Sequence, residues 1–453
     1  MKRIIIVSLA VFIAFTVVGC SSDSNDEEDQ KPQEEQRLTE DEPKQSESKQ
    51  SAQENDRRDS IVVDMLPKTK SVELTADQRA YVGKLNAFAF SLYGHASASN
   101  ELSASNMMSP LSVACLLGML NNGAQAQTSE EISRLLGGSP ADKPSVNVLF
   151  QTLMGSAPAV DPSVLLRMGN FVLMNQKYGL SYSDQFRDIL EQSYQSEVSQ
   201  LDFRQPSTLD YINGWSARQT DGQIPQILDN LSGDDVLVLM NAIGFKATWT
   251  EKFDEADTKE ATFTCNAGHQ LLPMMRRKAT ALYASNDIYS TLCLPYGSGD
   301  KWSMMVLLPQ KGKTVSDVVA SLSTDSWQSN VQALSVALAD ISMPRFSTTS
   351  DVDLKGLLSE MGAPSMFDAE VADFSLMTKD AAPLYVTMMK QKTAIEVSEA
   401  GTKMDATTVA KMGVTADVKE IPSVTFHAVR PFVYLIQESS SGAVFFIGTF
   451  SGK

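Results

Sequence analysis

The chain has 453 residues, a formal net charge of −17, three histidines and four cysteines. The negative charge argues against nucleic acid and heparin-like polyanions as partners, because such ligands need a basic surface. The cysteines have long, irregular spacing that matches neither a zinc motif nor a disulfide framework. We therefore expect a hydrophobic core with buried free thiols, and leave one alternative open, a single bridge between Cys265 and Cys293.

The first residues have the pattern of a secretory signal. Two basic residues precede an apolar run over residues 4–18, which is shorter than the roughly 20 residues of a transmembrane helix. The run ends in Gly19-Cys20, which resembles a lipobox. We predict a signal peptide over residues 1–19 and lipidation of Cys20, so that acyl chains alone contact the membrane. The alternative is an ordinary cleaved signal in which Cys20 has no role.

Residues 20–71 are predicted to be a disordered acidic tether. Residues 21–70 contain no aromatic residue and carry 15 acidic against 8 basic residues. Such a segment cannot bury enough apolar surface to offset its ordering entropy. Its acidic start, residues 21–29, resembles the export signal of some Gram-negative lipoproteins, which predicts an outer-membrane lipoprotein at the cell surface. A plain soluble spacer is the alternative.

From residue 72 onward the composition is globular, without repeats or low-complexity segments. Apolar spacing predicts helices over residues 75–98 and 109–120, and a third helix that Ser129 caps and Gly137-Gly138 ends. Apolar or alternating runs of suitable length predict strands. The predicted strands cover residues 165–174, 236–243, 289–294, 302–308, 335–343, 384–397 and 444–450. Helices first and strands later indicate an α+β class.

No motif of a hydrolase, metalloprotease or nucleotide-binding enzyme occurs. The three histidines, His95, His269 and His427, are far apart in sequence, so we assign none of them a catalytic or metal-binding role. Residues 351–356 imitate half of an EF-hand loop, but Lys355 stands where an oxygen ligand is needed. A polar helix start is the better interpretation. We predict no enzyme activity, no cofactor and no metal.

A series of motifs, in family order, resembles the serpin family of protease inhibitors. The motifs include Ser109-Pro110-Leu111-Ser112-Val113, Thr220-Asp221-Gly222-Gln223-Ile224, residues 241–249, Met343-Pro344-Arg345-Phe346, Arg430-Pro431-Phe432 and Phe446-Ile447-Gly448. The resemblance covers nearly all of residues 72–453. It implies one large domain with the serpin fold, in which three β-sheets are surrounded by about eight to nine helices and a reactive-centre loop is exposed.

The resemblance also implies a mechanism, which depends on a loop over about residues 399–420. In the family a protease attacks this loop and forms an acyl-enzyme, and the cut loop inserts into the main sheet as a new strand. The implied function is inhibition of serine-type and also cysteine-type proteases by covalent trapping, performed by a monomer. The hinge of the loop is assigned to Glu399, Ala400, Gly401, Thr402, Lys403, Met404, Asp405, Ala406, Thr407 and Thr408.

The hinge has the alternation that a strand requires, with two departures from the family. Alternate residues from Thr402 to Ala410 are uncharged and mostly small, which suits a buried face. Lys403, Met404 and Asp405 interrupt the small residues usual in inhibitory hinges. The sheet-opening region is assigned to Ser109, Ser112, Asn241, Trp249 and Gln391. Gln391 is the second departure, because many serpins have a histidine there.

Counting as in the family, the cleaved bond joins Thr415 to Ala416. A small β-branched Thr415 suits elastase-like, subtilisin-like or papain-like proteases. The alternatives are Val414, Lys411, which suits trypsin-like proteases, and Met412, which suits chymotrypsin-like ones. Loop positions vary in such families, so these alternatives stay open.

Three other functions are alternatives to inhibition. One is a non-inhibitory serpin that serves as a surface binding or carrier protein. Another is a glycan-binding or nutrient-capture lipoprotein, which would need solvent-facing aromatic residues, whereas Trp215 and Trp249 match core positions of the family. A hydrolase is the least supported, for want of a nucleophile motif.

Overall fold

The computed structural model describes residues 69–99, 102, 104–265, 268–299, 301–379, 383–402 and 421–452, all within one compact unit. The predictions for Cys20, for the signal peptide and for nearly all of the tether lie outside the described residues. Within these ranges no helix is both long enough and apolar enough to span a membrane.

Nine α-helices form within the described residues. They are α1 (Ala76–Ala98), α2 (Pro110–Gly123), α3 (Ala126–Leu135), α4 (Lys143–Ser156), α5 (Asp184–Tyr194), α6 (Pro206–Gln219), α7 (Val315–Ser321), α8 (Thr324–Gln332) and α9 (Leu354–Glu360). Helix α1 begins after Thr75, which exchanges hydrogen bonds with Gln78 in a capping box. Helix α9 begins after Asp353, whose carboxylate accepts the backbone N–H of Lys355 at 2.9 Å, so residues 351–356 do form a polar helix start.

The predicted cap of the third helix is wrong. Helix α3 begins three residues before Ser129, which lies buried inside the helix. The Ser129 hydroxyl donates to Oδ1 of Asn121 at 2.8 Å, so a tertiary hydrogen bond takes up the side chain that the sequence pattern assigned to a cap. The predicted helix end is close, since Gly137 adopts a positive φ of 75° two residues after Leu135.

One sheet has six strands and contains the longest predicted strands. Its order is β10 (Phe346–Asp353), β11 (Val386–Ser398), β12 (Gly401–Thr402), β4 (Leu237–Thr248), β2 (Val164–Asn175) and β3 (Ser196–Leu201). Helix α6 covers one face of it, where Trp215 lies 5.1 Å from Phe171 between ring centroids. The opposite face joins the main hydrophobic core.

The other sheet has nine strands. Its order is β1 (Asn106–Met108), β15 (Val444–Phe450), β14 (Phe432–Glu438), β8 (Trp302–Pro309), β7 (Tyr289–Tyr296), β6 (Gly268–Ser285), β9 (Ser335–Pro344) and β13 (Ser423–His427), with β5 (Lys259–Cys265) paired to β6. Strand β6 pairs with β5 and β9 along most of its length and with β7 at its end. Because β6 joins these ladders, hydrogen bonding links the described strands into two sheets, where the family resemblance implies three.

The α+β class and the number of helices are confirmed. The sequence patterns missed eight of the described strands: β1, β3, β5, β6, β10, β12, β13 and β14. All four tryptophans, Trp215, Trp249, Trp302 and Trp327, are buried. None of them can therefore form the solvent-facing platform that a glycan-binding protein would need.

Candidate functional site

The predicted hinge enters the six-stranded sheet at the point where two of its strands separate. Strands β4 and β11 pair in parallel up to Ile243 and Thr393. Beyond that level β12 lies between them and pairs antiparallel with both, with Thr402 opposite Ala247 on one side and Val397 on the other. Two residues of the hinge therefore already form a short strand inside the sheet.

Gly401 is the residue that permits this close approach. Its φ of 136° lies in a region that residues with a side chain rarely adopt. A Cβ atom at this position would collide with the carbonyl oxygen of Ala247 and would lie 2.5 Å from Cα of Thr248 and 2.7 Å from the backbone nitrogen of Trp249. All three obstacles are backbone atoms, so no rotation of a side chain relieves them.

Trp249 lies beside the hinge and holds it by two hydrogen bonds. Its indole Nε1 donates to the carbonyl of Ser398 at 2.9 Å, and its backbone N–H donates to the carbonyl of Ala400 at 2.9 Å. The indole stacks on Tyr296 at 4.4 Å between ring centroids. The hydroxyls of Tyr296 and Thr402, both buried, are hydrogen bonded at 2.9 Å.

Glu399 anchors the start of the hinge through an ion pair. Its carboxylate, only 4% exposed, accepts hydrogen bonds from Nε and Nη2 of Arg345 at 3.0 and 2.6 Å and from the hydroxyl of Thr258 at 2.6 Å. Burial by itself raises the pKa of Glu399, but the hydrogen bonds from Arg345 and Thr258 outweigh it, and the pKa is lowered. The sequence predicted neither partner of Glu399: Arg345 was identified only as part of a family motif, and Thr258 was missed.

Four of the five predicted sheet-opening residues meet at one level of the sheet. Gln391 and Ser109 form a reciprocal pair, in which the amide of Gln391 donates to the Ser109 carbonyl and accepts the Ser109 N–H, both at 2.8 Å. The hydroxyls of Ser109 and Ser112 lie 2.9 Å apart. Asn241 is opposite Gln391 in the β4–β11 pair, and all four residues are buried. Trp249 lies apart from them, at the hinge.

Asn241 leaves one polar atom without a partner. Its Nδ2 donates to Oδ1 of Asn170 at 2.9 Å, whereas its own Oδ1 is buried and accepts no hydrogen bond. A buried acceptor in this state costs free energy. The sheet-opening level is therefore not fully satisfied in this conformation.

The remaining candidate residues do not assemble into a reaction centre. Within the described residues, no three His, Cys, Asp or Glu side chains are grouped so that they could hold a metal ion. The bridge between Cys265 and Cys293 is not formed. Cys293 and Cys115 are buried free thiols, and burial raises the pKa of Cys293 to about 11, whereas Cys265 is partly exposed. What the described arrangement offers chemically is a place for strand addition.

Several predicted site residues lie outside the described residues. They are the later hinge residues Lys403, Met404, Asp405, Ala406, Thr407 and Thr408, and the candidate bait residues Lys411, Met412, Val414, Thr415 and Ala416.

Comparison with known proteins agrees with this geometry. Residues 83–452 match the family described as Serpin (serine protease inhibitor). The chain is 30% identical over 387 residues to an uncharacterized serpin-like protein of Thermococcus kodakarensis, covering 84% of this chain and 88% of that protein. It is 31% identical over 380 residues to intracellular coagulation inhibitor 1 of Tachypleus tridentatus, covering 81% and 87%. The crystal structure of human thyroxine-binding globulin superposes with a TM-score of 0.74 at 25% identity, covering 83% and 99%. The chain belongs to the serpin family.

Proposed function

We propose that this protein inhibits proteases by acting as a suicide substrate, whose cleaved loop inserts between β4 and β11 while the protease is still bound as an acyl-enzyme. The observation that carries the proposal is strand β12, which pairs with β4 and β11 at once. Strand addition needs two strand edges that receive the new strand. At the level of Thr402 both edges are already engaged by the hinge.

The register of β12 predicts which residues the inserted strand would bury. Thr402 is opposite Ala247 and Val397, which both face the core. Because side chains alternate along a strand, a continuation in the same register would bring every second residue to the core face. Thr408, six residues further, would arrive between Asn241 and Gln391, and its hydroxyl would supply a donor for the unpartnered Oδ1 of Asn241.

Insertion would also gain backbone hydrogen bonds. The parallel pairs from Val386–Leu237 to Thr393–Ile243 would have to separate, and two antiparallel ladders would replace them. A ladder hydrogen bond contributes about 1 kcal/mol net, and parallel pairing is slightly weaker per residue than antiparallel pairing. The uncut loop would be unable to make this exchange because both of its ends are held. Cleavage would therefore release the difference in free energy between the two antiparallel ladders of the inserted state and the single parallel ladder between β4 and β11.

The proposed bait bond is Thr415–Ala416, with Lys411, Met412 and Val414 as alternative sites of attack. Twelve residues separate Thr402 from Thr415, and as an extended strand they span about 40 Å. That is close to the length of the twelve-residue strand β4. A protease attached at Thr415 would therefore be carried from one end of the sheet to the other.

We also propose that the protein is an outer-membrane lipoprotein that Cys20 anchors at the cell surface. The support is the sequence of residues 1–29, with its basic start, apolar run, Gly19-Cys20 and acidic segment. Radiolabelled palmitate should be incorporated into the protein and not into a Cys20→Ala variant. Equal labelling of the two chains would reject the anchor.

The test of inhibition mixes the purified protein with elastase, subtilisin, trypsin and papain, followed by denaturing gels and mass spectrometry of the released C-terminal peptide. We expect a covalent band with at least one protease and a peptide that begins at Ala416. A Thr408→Arg variant, which would bring a charge between Asn241 and Gln391, should be cut without a covalent band. Clean cleavage of the unmodified protein, with no band and no gain in thermal stability, would favour a non-inhibitory binding or carrier protein.

A further inference from the structure

Four exposed apolar side chains form a continuous stripe across three strands of the nine-stranded sheet. Leu282 on β6 is directly opposite Val336 on β9. Leu338 lies two residues further along β9 on the same face, and Ile421 lies just before β13. Their exposed fractions are 41%, 40%, 46% and 48% in the order named. We call these four residues the apolar stripe.

The pairing register of β6, β9 and β13 brings the four side chains of the apolar stripe together on one surface. Strand β13 pairs in parallel with β9 so that Ser423 is beside Leu338, and the Leu338 N–H donates to the carbonyl of Pro422 at 2.9 Å. The same register brings Ile421 beside Val336. Leu282, Val336 and Ile421 thus form a row across three strands, with Leu338 next to it.

The core of the sheet does not need the stripe. The residues of β9 that alternate with it, Ala337, Ala339 and Ile341, are buried and already fill the inner face. Single exposed apolar residues are common on protein surfaces, whereas a contiguous group of them marks an interaction site. The apolar stripe therefore has the composition of an interaction surface.

The same face becomes basic beyond the stripe. Lys278 of β6 is directly opposite Asp340 of β9. Arg276 of β6 and His427 of β13 both lie beside Ser342, two residues further along β9 on the same face. Lys278 Nζ and His427 Nε2 lie 3.8 and 3.4 Å from oxygens of Asp340. In a chain with a net charge of −17, Arg276 and Lys278 outnumber the single carboxylate of Asp340 here, and this end of the face is therefore complementary to an acidic partner surface.

The length of the loop indicates which partner reaches the stripe. Eighteen residues separate Thr402 from Ile421, and the proposed bait bond lies five residues before Ile421. Five extended residues span at most about 18 Å. A compact protease of about 230 residues has a radius of gyration of about 17 Å, which corresponds to a radius of roughly 22 Å. A protease seated on the bait bond is therefore large enough to reach the stripe.

We propose that the apolar stripe and its basic end form a second docking surface for the target protease, one whose active-site rim presents apolar side chains next to carboxylates. The inference rests on the proposed inhibitory function and deepens it. Four side chains are too few for a stable dimer interface, which buries about 800 Å² per partner, so the stripe acts together with the loop. Its contribution is faster and tighter engagement of the protease, without a change in loop insertion.

The test compares a Val336→Ser/Leu338→Ser variant with the unmodified protein. The matched control is Leu271→Ser, since Leu271 is 69% exposed on the same strand as Leu282 but eleven residues away. We expect the association rate constant with the trapped protease to fall about tenfold in the stripe variant and to stay unchanged in the control. The fraction of protease trapped and the thermal midpoint should not change. A rate within twofold of the unmodified protein, or an equal loss in the control, would overturn the inference.

A protease whose nucleophile is replaced by alanine separates this inference from the proposed function, because it binds but cannot cut the loop. Its equilibrium affinity should also fall about tenfold in the stripe variant. If active proteases give no covalent band while this affinity still falls, loop insertion fails and the docking surface stands. The inference is wrong if the affinity is unchanged, if no protease binds, or if the stripe instead mediates a dimer that Leu338→Ser abolishes.

Discussion

Replacing Gly401 with alanine tests whether the hinge is seated in the sheet. Two effects oppose the new methyl group. The φ of 136° costs a residue with a side chain about 1–3 kcal/mol. The methyl carbon would also lie 2.5 Å from Cα of Thr248 and would collide with the carbonyl of Ala247, and neither backbone atom can yield without breaking the strand pairs on both sides.

The loss of stability in Gly401→Ala has an upper limit, because the hinge can withdraw from the sheet and so avoid the collision. Withdrawal breaks the hydrogen bond from the Trp249 N–H to Ala400 and the one between Tyr296 and Thr402, together with the pairs that Gly401 and Thr402 make. At about 1 kcal/mol for each hydrogen bond, the two named bonds contribute about 2 kcal/mol and the ladder pairs at least about 1 kcal/mol more, so the cost is about 3 kcal/mol or above. We expect Gly401→Ala to be less stable by that amount.

The assay is unfolding in urea and by heat, with Gly312→Ala as the control. Gly312 also has a positive φ, 82°, but no atom lies within 4 Å of its Cβ position, so this control isolates the backbone strain at about 1 kcal/mol. In a chain of this length, 3 kcal/mol corresponds to a fall of roughly 5 °C in the thermal midpoint. Gly401→Ala should also trap a smaller fraction of protease. Equal stability of the two variants would show that Gly401 does not pair inside the sheet.

Three further substitutions test the contacts around the hinge by the same unfolding measurements. Glu399→Gln should cost about 1.5 kcal/mol at neutral pH, a value held down by the half-exposed Arg345. Because the pKa of Glu399 is lowered in the folded state, this difference should be complete above about pH 4.3 and shrink as the pH falls further; a constant difference would contradict the ion pair. Thr402→Val should cost about 1–2 kcal/mol by stranding the Tyr296 hydroxyl, and adding Tyr296→Phe should recover part of it, unless the hydroxyl finds another partner. Gln391→Ala should cost about 2 kcal/mol, since it leaves the buried Ser109 N–H without an acceptor, whereas the Ser109 carbonyl keeps the N–H groups of Ser112 and Val113; a loss below 1 kcal/mol would mean that water replaces the amide.

Burial on both faces favoured prediction of a strand from the sequence but did not decide it, since β15 was predicted at its observed bounds whereas β14, which is equally buried, was missed. Strand β8 is apolar without interruption, and its observed bounds, Trp302–Pro309, differ from the prediction by one residue. Strand β6 was missed because Arg276, Arg277 and Lys278 interrupt its middle and its two faces are both partly exposed. Arg277 is nevertheless largely buried, with its guanidinium 4.6 Å from the ring of Phe253. A tertiary partner of this kind leaves no periodic signal in the sequence.

The candidate site also has features that the sequence predicted and features that it could not predict. The position of the hinge was available from family motifs, and its alternation was available from period-two patterning. The pairing of Thr402 with Ala247, far away in the chain, and the ion pair between Glu399 and Arg345 were not available, because each depends on which distant elements the fold brings together. Local patterns identify residues suited to a strand, but only the fold identifies the two strands that receive it.

The register of β12 also indicates how the charged residues that interrupt the hinge would affect insertion of the loop. In an inserted strand of the same register, Lys403 would lie on the outer face beside Glu396 of β11 and Lys246 of β4. Asp405, two residues on, would lie diagonally across from Lys246 and from Lys392. Lys403 would thus gain the opposite charge of Glu396 but face the like charge of Lys246. Asp405 would have two lysines and one glutamate on its diagonals, so the favourable and unfavourable cross-strand charge pairs would largely offset one another.

Met404 is then the one interrupting residue directed at the core, where it would lie between Phe245 and Ile395, both buried. Methionine is unbranched and flexible, so it fills irregular space better than a branched residue of similar size. The fit of this single side chain, more than the charges around it, would decide whether the loop inserts before the acyl-enzyme is hydrolysed.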